Sequence, residues 1–358
     1  MKNERLQKLY LENRETFAAF DLNGQALGNN LYGLPHTFEN AILHVHEMPT
    51  AITVSGTTGA EDGPAGLAKG SKSIELTSEQ YRDDAWIPGM WANESDPELH
   101  DLHKKGREIF DEMINSNLDH VVEYNVRLLD EICEKVNFIL ERNVTESLKL
   151  NRLVAVIGGC HGSIFGSVKA HSKFHKKFSI LTVDAHLDLR LAYEGVKWSH
   201  ASIMRNILTE IPQVKHLTSV GIRSTGADER QYVKENKDRI SVFYDSVMRN
   251  QMDLQDKNWA RWCFDIVDSI PTDDVYISFD HDGLEVSLCP STGTPVAGGL
   301  SMWQAKKLIT TLVSMDKRII GFDLNEMVPT TQNDRNSAAE LFYHMYYCMM
   351  VSQGILKE

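Results

Sequence analysis

Four short segments of this 358-residue chain carry residues able to hold a divalent cation: Gly-Gly-Cys-His (158–161), Asp-Ala-His-Leu-Asp (184–188), Ser-Phe-Asp-His-Asp (278–282) and Phe-Asp-Leu-Asn-Glu (322–326). The first three supply six ligand candidates, His161, Asp184, His186, Asp188, Asp280 and Asp282, and the fourth ends on Glu326. Imidazole and carboxylate donors without thiolate pairs suit Mn²⁺, Fe²⁺, Co²⁺ or Ni²⁺, and they argue against a structural zinc site. Six such groups could hold two ions with carboxylates bridging them, and a pair about 3.5–4 Å apart activates water for hydrolysis.

Each segment has a plainer reading. Asp184, His186 and Asp188 follow the apolar run Ser-Ile-Leu-Thr-Val. Alternate residues of an extended segment point the same way, so the three can converge on one centre. A strand end fraying into solvent would carry the same residues, and for this segment alone the two readings stand level. Asp280 and Asp282 repeat the spacing, and paired carboxylates raise each other's pKa unless a cation intervenes. His161 alone would more often be structural, and Glu326 alone a solvated loop residue. They gain weight from the other segments.

These residues need strands to bring them together. Residues 153–157, 180–183, 217–222, 240–244, 275–279 and 319–324 read as buried strands, and helical stretches at 163–176, 202–210, 228–235 and 301–314 alternate with them. That alternation implies a mainly parallel sheet with helices on both faces, with its site at the strand ends. Upstream, residues 51–55 read as a short strand, Pro64 opens a helix, residues 74–100 form a long surface loop, and 98–143 are helical. Residues 1–40 read as an irregular N-terminal arm. No linker rich in Pro, Gly or Ser divides the chain, so residues 1–358 read as one domain.

The formal net charge of −13 disfavours nucleic acid and anionic membranes as partners. No apolar run approaches the roughly 18 residues that span a bilayer. The N-terminus lacks an apolar signal core. The five cysteines, Cys133, Cys160, Cys263, Cys289 and Cys348, form no CxxC pair and read as reduced thiols. The expected location is the cytoplasm.

At the quoted motifs, together with Pro-Ser-Thr-Gly-Thr-Pro-Val-Ala-Gly-Gly-Leu (290–300), the chain resembles the ureohydrolase family of arginase, agmatinase, guanidinobutyrase and formiminoglutamase. The resemblance implies a three-layer α/β/α sandwich around a parallel sheet of eight strands, a homotrimer or homohexamer, and a pair of Mn²⁺ ions. One ion would take His161, Asp184, Asp188 and Asp280; the other Asp184, His186, Asp280 and Asp282. The implied reaction converts a guanidino compound and water to an amine and urea. Asp188 would pass a proton to the leaving amine, Glu326 would pair with the guanidinium, and His200, in Trp-Ser-His-Ala (198–201), would shuttle protons. A surface loop histidine is the competing reading of His200.

The stretch from Asp188 through Arg190 and Tyr-Glu-Gly (193–195) to His200 looks most like agmatinases, which makes agmatine the first expectation. Guanidinobutyrate, other guanidino acids, free guanidine and arginine are alternatives, as is amidine hydrolysis of the formiminoglutamate type. A non-catalytic metal-bound partner is the remaining one. Arg190 stands where arginases carry Asn, which disfavours arginine; it also reads as a buried structural arginine. Cys160 replaces the family's usual Asp beside a ligand, which makes Ni²⁺ an alternative metal, unless Cys160 merely packs behind His161. Strand alternation points His281 away from the ligands. Loops 23–34, 56–64 and 84–98 are the expected readers of the substrate tail.

Overall fold

The computed structural model describes residues 2–357 apart from 23, 25, 27, 29 and 256. Eight strands form one sheet. They are β1 (Leu43–Met48), β2 (Met90–Asn93), β3 (Leu153–Gly158), β4 (Phe178–Val183), β5 (Val214–Ile222), β6 (Ile240–Tyr244), β7 (Asp274–Asp280) and β8 (Arg318–Asn325). Their order is β2-β1-β3-β8-β7-β4-β5-β6. Every pairing is parallel. Parallel neighbours need crossovers, and the helices that make them cover both faces.

Side-chain alternation sorts the strands between two cores. Along β3, Leu153, Ala155 and Ile157 join one apolar cluster, whereas Val154 and Val156 join the other. The first cluster takes α1 (Lys2–Thr16), α2 (Gly63–Ser71), α8 (Asp245–Leu254), α9 (Trp259–Asp268), α10 (Met302–Ser314) and α11 (Gln332–Ser352). The second takes α3 (Pro97–Ile114), α4 (Asp119–Lys149), α5 (Phe165–Ser172), α6 (Ile203–Glu210) and α7 (Ala227–Glu235). The result is the expected three-layer α/β/α sandwich. No described helix is long and apolar enough to cross a membrane.

Three expectations fail, each for a physical reason. The upstream strand is β1, not residues 51–55. His44 and His46 interrupt its apolar pattern, yet both are buried and both meet the Ser147 hydroxyl of α4 at 3.0 Å. Residues 1–40 are not irregular throughout, because α1 occupies the first part. Its stripe of Leu6 and Tyr10 continues through Asn13, a polar residue that is nonetheless buried, with its amide donating to the carbonyl of Asn40 at 2.9 Å. Within 74–100, residues 90–93 form the edge strand β2 rather than loop. Helix α11 went unread because Leu341, Phe342, Tyr343, Met345, Tyr346, Met349 and Met350 bury it on all sides. A helix apolar all round has no stripe to detect.

The four strands whose C-terminal ends carry the motif residues, β3, β8, β7 and β4, are consecutive in the sheet. Residues far apart in sequence therefore meet along one edge.

Candidate metal centre

Two groups of donor atoms lie along that edge. His161, Asp184 and Asp188 bring one ligand atom each within 4.8 Å of one another, as do Asp184, His186 and Asp282. His161 starts a 3-10 turn after β3, and its Nδ1 lies 3.2, 3.0 and 3.4 Å from carboxylate oxygens of Asp184, Asp188 and Asp280. His186 Nδ1 lies 3.1 Å from Asp282 Oδ2 and 3.6 Å from Asp184 Oδ1. Asp184 belongs to both groups, between the two imidazoles.

Close backbone approach makes this possible. A Cβ on Gly158 would stand 1.9 Å from Asn325 Oδ1, and one on Gly159 2.1 Å from the Thr50 carbonyl. Only glycine fits there, so the Gly-Gly before Cys160 seats β3 against β8 and the loop after β1. Main-chain amides orient the carboxylates: Ala185 donates to Asp282 Oδ1 at 2.9 Å, His186 to Asp184 Oδ1 at 2.6 Å, and Asp282 to Asp280 Oδ1 at 2.8 Å. Asp188 and Glu326 sit in the left-handed region, at φ of 53° and 59°, a conformation uncommon for residues other than glycine.

Electrostatics call for a cation. His161, Asp184, Asp188, Asp280 and Asp282 are all buried. Burial, with Asp184 close by, pushes the Asp188 carboxyl up to about 7. Burial, Asp282 and Asp184 hold Asp280 well above the ordinary carboxylate range. Burial alone would lower the pKa of His161, but the three carboxylates around it raise it well above the usual value. His161 Nδ1 and Asp184 Oδ2 face each other without a hydrogen bond, although both atoms are buried. Unpaired buried donors and acceptors are rare in folded proteins. Divalent ions between these groups would satisfy the orphaned atoms and neutralise the carboxylates, so the donor set fits the metals expected.

The other expected residues divide. Glu326 Oε1 accepts the main-chain N–H of His161 at 2.8 Å, and burial pushes its carboxyl up to about 8. His200 enters a cleft of about 220 Å³ together with His186, Asp188 and Arg190. Its ring lies 3.3 Å from Thr53 Oγ1 and edge-on to Tyr193, and burial pushes its pKa down to about 4. Arg190 is not a buried structural arginine. Its side chain is 44% exposed at the cleft, over the Tyr193 ring. Cys160 is buried with Ala51, Val54, Ala60 and Val328, and burial pushes its thiol up to about 12. That is the packing alternative. His281 turns away from the cluster to Ser337 at 2.9 Å, as alternation requires.

The loops expected to read a substrate tail do not line this cleft among the described residues. The cleft is walled instead by Ser55, Tyr193, Ser224, Thr225, Glu229 and Thr294. Of loop 23–34, residues 23, 25, 27 and 29 lie outside the described residues, and Tyr32 packs on α2 and α11. Two wall residues lie in quoted stretches: Thr294 in the motif 290–300, and Tyr193 in Tyr-Glu-Gly. The Tyr193 hydroxyl meets Ser55 Oγ at 2.7 Å and ties the two loops across the cleft.

A parallel α/β/α sandwich with His and Asp donors gathered at adjacent strand ends is the architecture of an α/β protein built to hold divalent ions. A family model described as "Arginase family" matches residues 42–351, and the chain belongs to the arginase family. It is similar to an N(1)-aminopropylagmatine ureohydrolase of Thermus thermophilus, 32% identical over 60% of this chain and 68% of that one. Its fold matches the agmatine ureohydrolase of Thermoplasma volcanium with a TM-score of 0.67 at 22% identity, over 94% of this chain and 97% of that one. It also matches Trypanosoma cruzi formiminoglutamase solved with Mn²⁺, with a TM-score of 0.65 at 20% identity, over 89% and 96% of the two chains. The family is binuclear and metal-dependent, and this chain is a hydrolase of C–N bonds in linear amidines, a ureohydrolase acting on guanidino compounds.

Proposed function

We propose that this chain hydrolyses a small guanidino compound to an amine and urea, with agmatine, giving putrescine, as the first substrate to try. The observation that carries the reading is the meeting of His161 Nδ1 with three carboxylates in a site where that nitrogen and Asp184 Oδ2 have no hydrogen-bond partner. His161, Asp184, Asp188 and Asp280 would hold one ion; Asp184, His186, Asp280 and Asp282 would hold the other. Mn²⁺ is the expected metal and Ni²⁺ the alternative. Such a pair, when bound, supplies a water deprotonated near neutral pH.

The protein's own groups do the rest. Glu326 keeps Oε2 for the planar guanidinium while Oε1 holds the His161 segment in place. Asp188 lines the cleft and is placed to pass a proton to the leaving amine. His200, a neutral imidazole in the cleft wall, exchanges that proton with solvent. The agmatine skeleton in the names of two similar proteins supports an amine tail. We take the whole chain as one domain in the cytoplasm, working as a homotrimer or homohexamer.

The test is urea release from a panel of guanidino compounds by apo-protein reloaded separately with Mn²⁺, Ni²⁺, Co²⁺ and Zn²⁺. Urea from agmatine with Mn²⁺ supports the reading as written. Urea from another compound, or with another metal alone, keeps the reaction and changes the substrate or ion. No urea under any condition sinks the proposal.

A further inference from the structure

We propose that Asp323 is a positioning residue for the metal centre: through Ser278 it fixes which ring nitrogen of His161 carries the proton, leaving Nδ1 free for a divalent ion. The inference rests on the reading of His161 as a metal ligand.

The argument is a count of hydrogens. His161 Nε2 lies 2.8 Å from Ser278 Oγ. The Ser278 hydroxyl has a single hydrogen, and it donates this to Asp323 Oδ1 at 2.8 Å. Asn325 Nδ2 donates to the same oxygen at 2.5 Å. With its hydrogen committed, Ser278 Oγ can only accept from the imidazole. In the neutral imidazole, the form that binds a metal, Nε2 therefore carries the proton and Nδ1 is bare. That bare nitrogen is the one facing Asp184, Asp188 and Asp280.

The direction of the chain does not depend on the charge of Asp323. Burial pushes its carboxyl up to about 6, and a neutral acid with its hydrogen on Oδ2 still accepts at Oδ1. His161, Ser278, Asp323 and Asn325 are each 0% exposed, so no bulk solvent can replace a missing member. Partners behind a ligating histidine fix its tautomer, and their loss weakens metal affinity about 10–100-fold.

The experiment titrates Mn²⁺ into the full-length apo-protein, by calorimetry and by the EPR signal of free Mn²⁺. In Asp323→Leu the acceptor is gone, so the Ser278 hydroxyl turns to His161 Nε2 and drives the proton onto Nδ1. The expected result is one Mn²⁺ weakened about 10–100-fold and the other unchanged. Ser278→Ala should behave alike, and Ser278→Thr, which keeps the hydroxyl, should keep wild-type affinity. The proposal is overturned by Asp323→Leu and Ser278→Ala chains that bind both ions as wild type does. It is equally overturned by a Ser278→Thr chain as weak as Ser278→Ala, or by both ions weakening together with a fall in apo-protein Tm, the signature of a merely structural role. Wild-type Mn²⁺ uptake by His161→Ala would sink the ligand reading instead, and with it the relay.

Discussion

Two pairs of histidines sit on or just beyond strands of one sheet. His44 and His46 lie within β1, and His161 and His186 follow β3 and β4. The first pair is satisfied by protein. His44 Nδ1 and His46 Nε2 both meet Ser147 Oγ at 3.0 Å, and His44 Nε2 meets the Phe38 carbonyl at 3.0 Å. Burial pushes their pKa values down to about 4 and about 3, so both are neutral. His161 is equally buried, but its Nδ1 meets three carboxylates and no hydrogen-bond partner. Burying an imidazole does not make it a ligand. What faces its nitrogens decides whether it belongs to the core or to the chemistry.

The comparison can be broken in four ways. The largest effect belongs to Asp188→Asn, which removes both a metal ligand and the proton donor. Turnover should fall about 10²–10⁴-fold while the chain still melts cooperatively, and wild-type-like turnover would refute the mechanism. Next come the two histidine classes side by side. His161→Ala should lose bound Mn²⁺ and urea release. His44→Ala should keep both and lose about 1–3 kcal/mol of stability by denaturant titration. Metal loss in His44→Ala would erase the distinction.

A third measurement is the gain in stability on adding Mn²⁺. At 100 times its dissociation constant, one ion stabilises by about 2.7 kcal/mol. The gain should shrink at pH 5, since metal ligands must be deprotonated to bind. A gain independent of pH would argue against imidazole and carboxylate ligands. The smallest effect concerns the satisfied pair. Their folded pKa values lie below the unfolded value of about 6.5, so the unfolded chain binds more protons below that pH. Stability is therefore full above pH 6.5 and is lost as pH falls towards 4. Each histidine contributes at most about 2 kcal/mol of this loss at pH 5. His44→Gln should flatten the pH slope of the apo-protein's stability, and an unchanged slope would mean that His44 is not held neutral.

The same contrast explains what was legible in the sequence. The six strands from residue 153 onward were readable because they are apolar on both faces, and the ligands because they close those strands at alternate spacing. Strand β1 was not, since its histidines are polar letters buried against Ser147 of α4, 103 and 101 residues away. Ser278 and Asp323 lay inside quoted motifs, yet nothing in one dimension says that a serine bridges an imidazole from the turn after β3 and a carboxylate from β8. The cleft walls were least legible. Glu229 enters by capping its own helix, with Oε2 accepting from Gly226 and Oε1 from Leu189, and a capping glutamate looks the same in any helix.

Asp188 and Glu326 both occupy left-handed backbone. Side chains beyond glycine pay roughly 1–3 kcal/mol to stay there, and glycine or asparagine would fit with less strain. At these two positions selection for a well-behaved fold and selection for turnover pull in opposite directions. Lineages released from the need for activity should drift there towards glycine and asparagine and become sturdier as they do. A hardy relative with such residues would be a retired enzyme rather than an improved one.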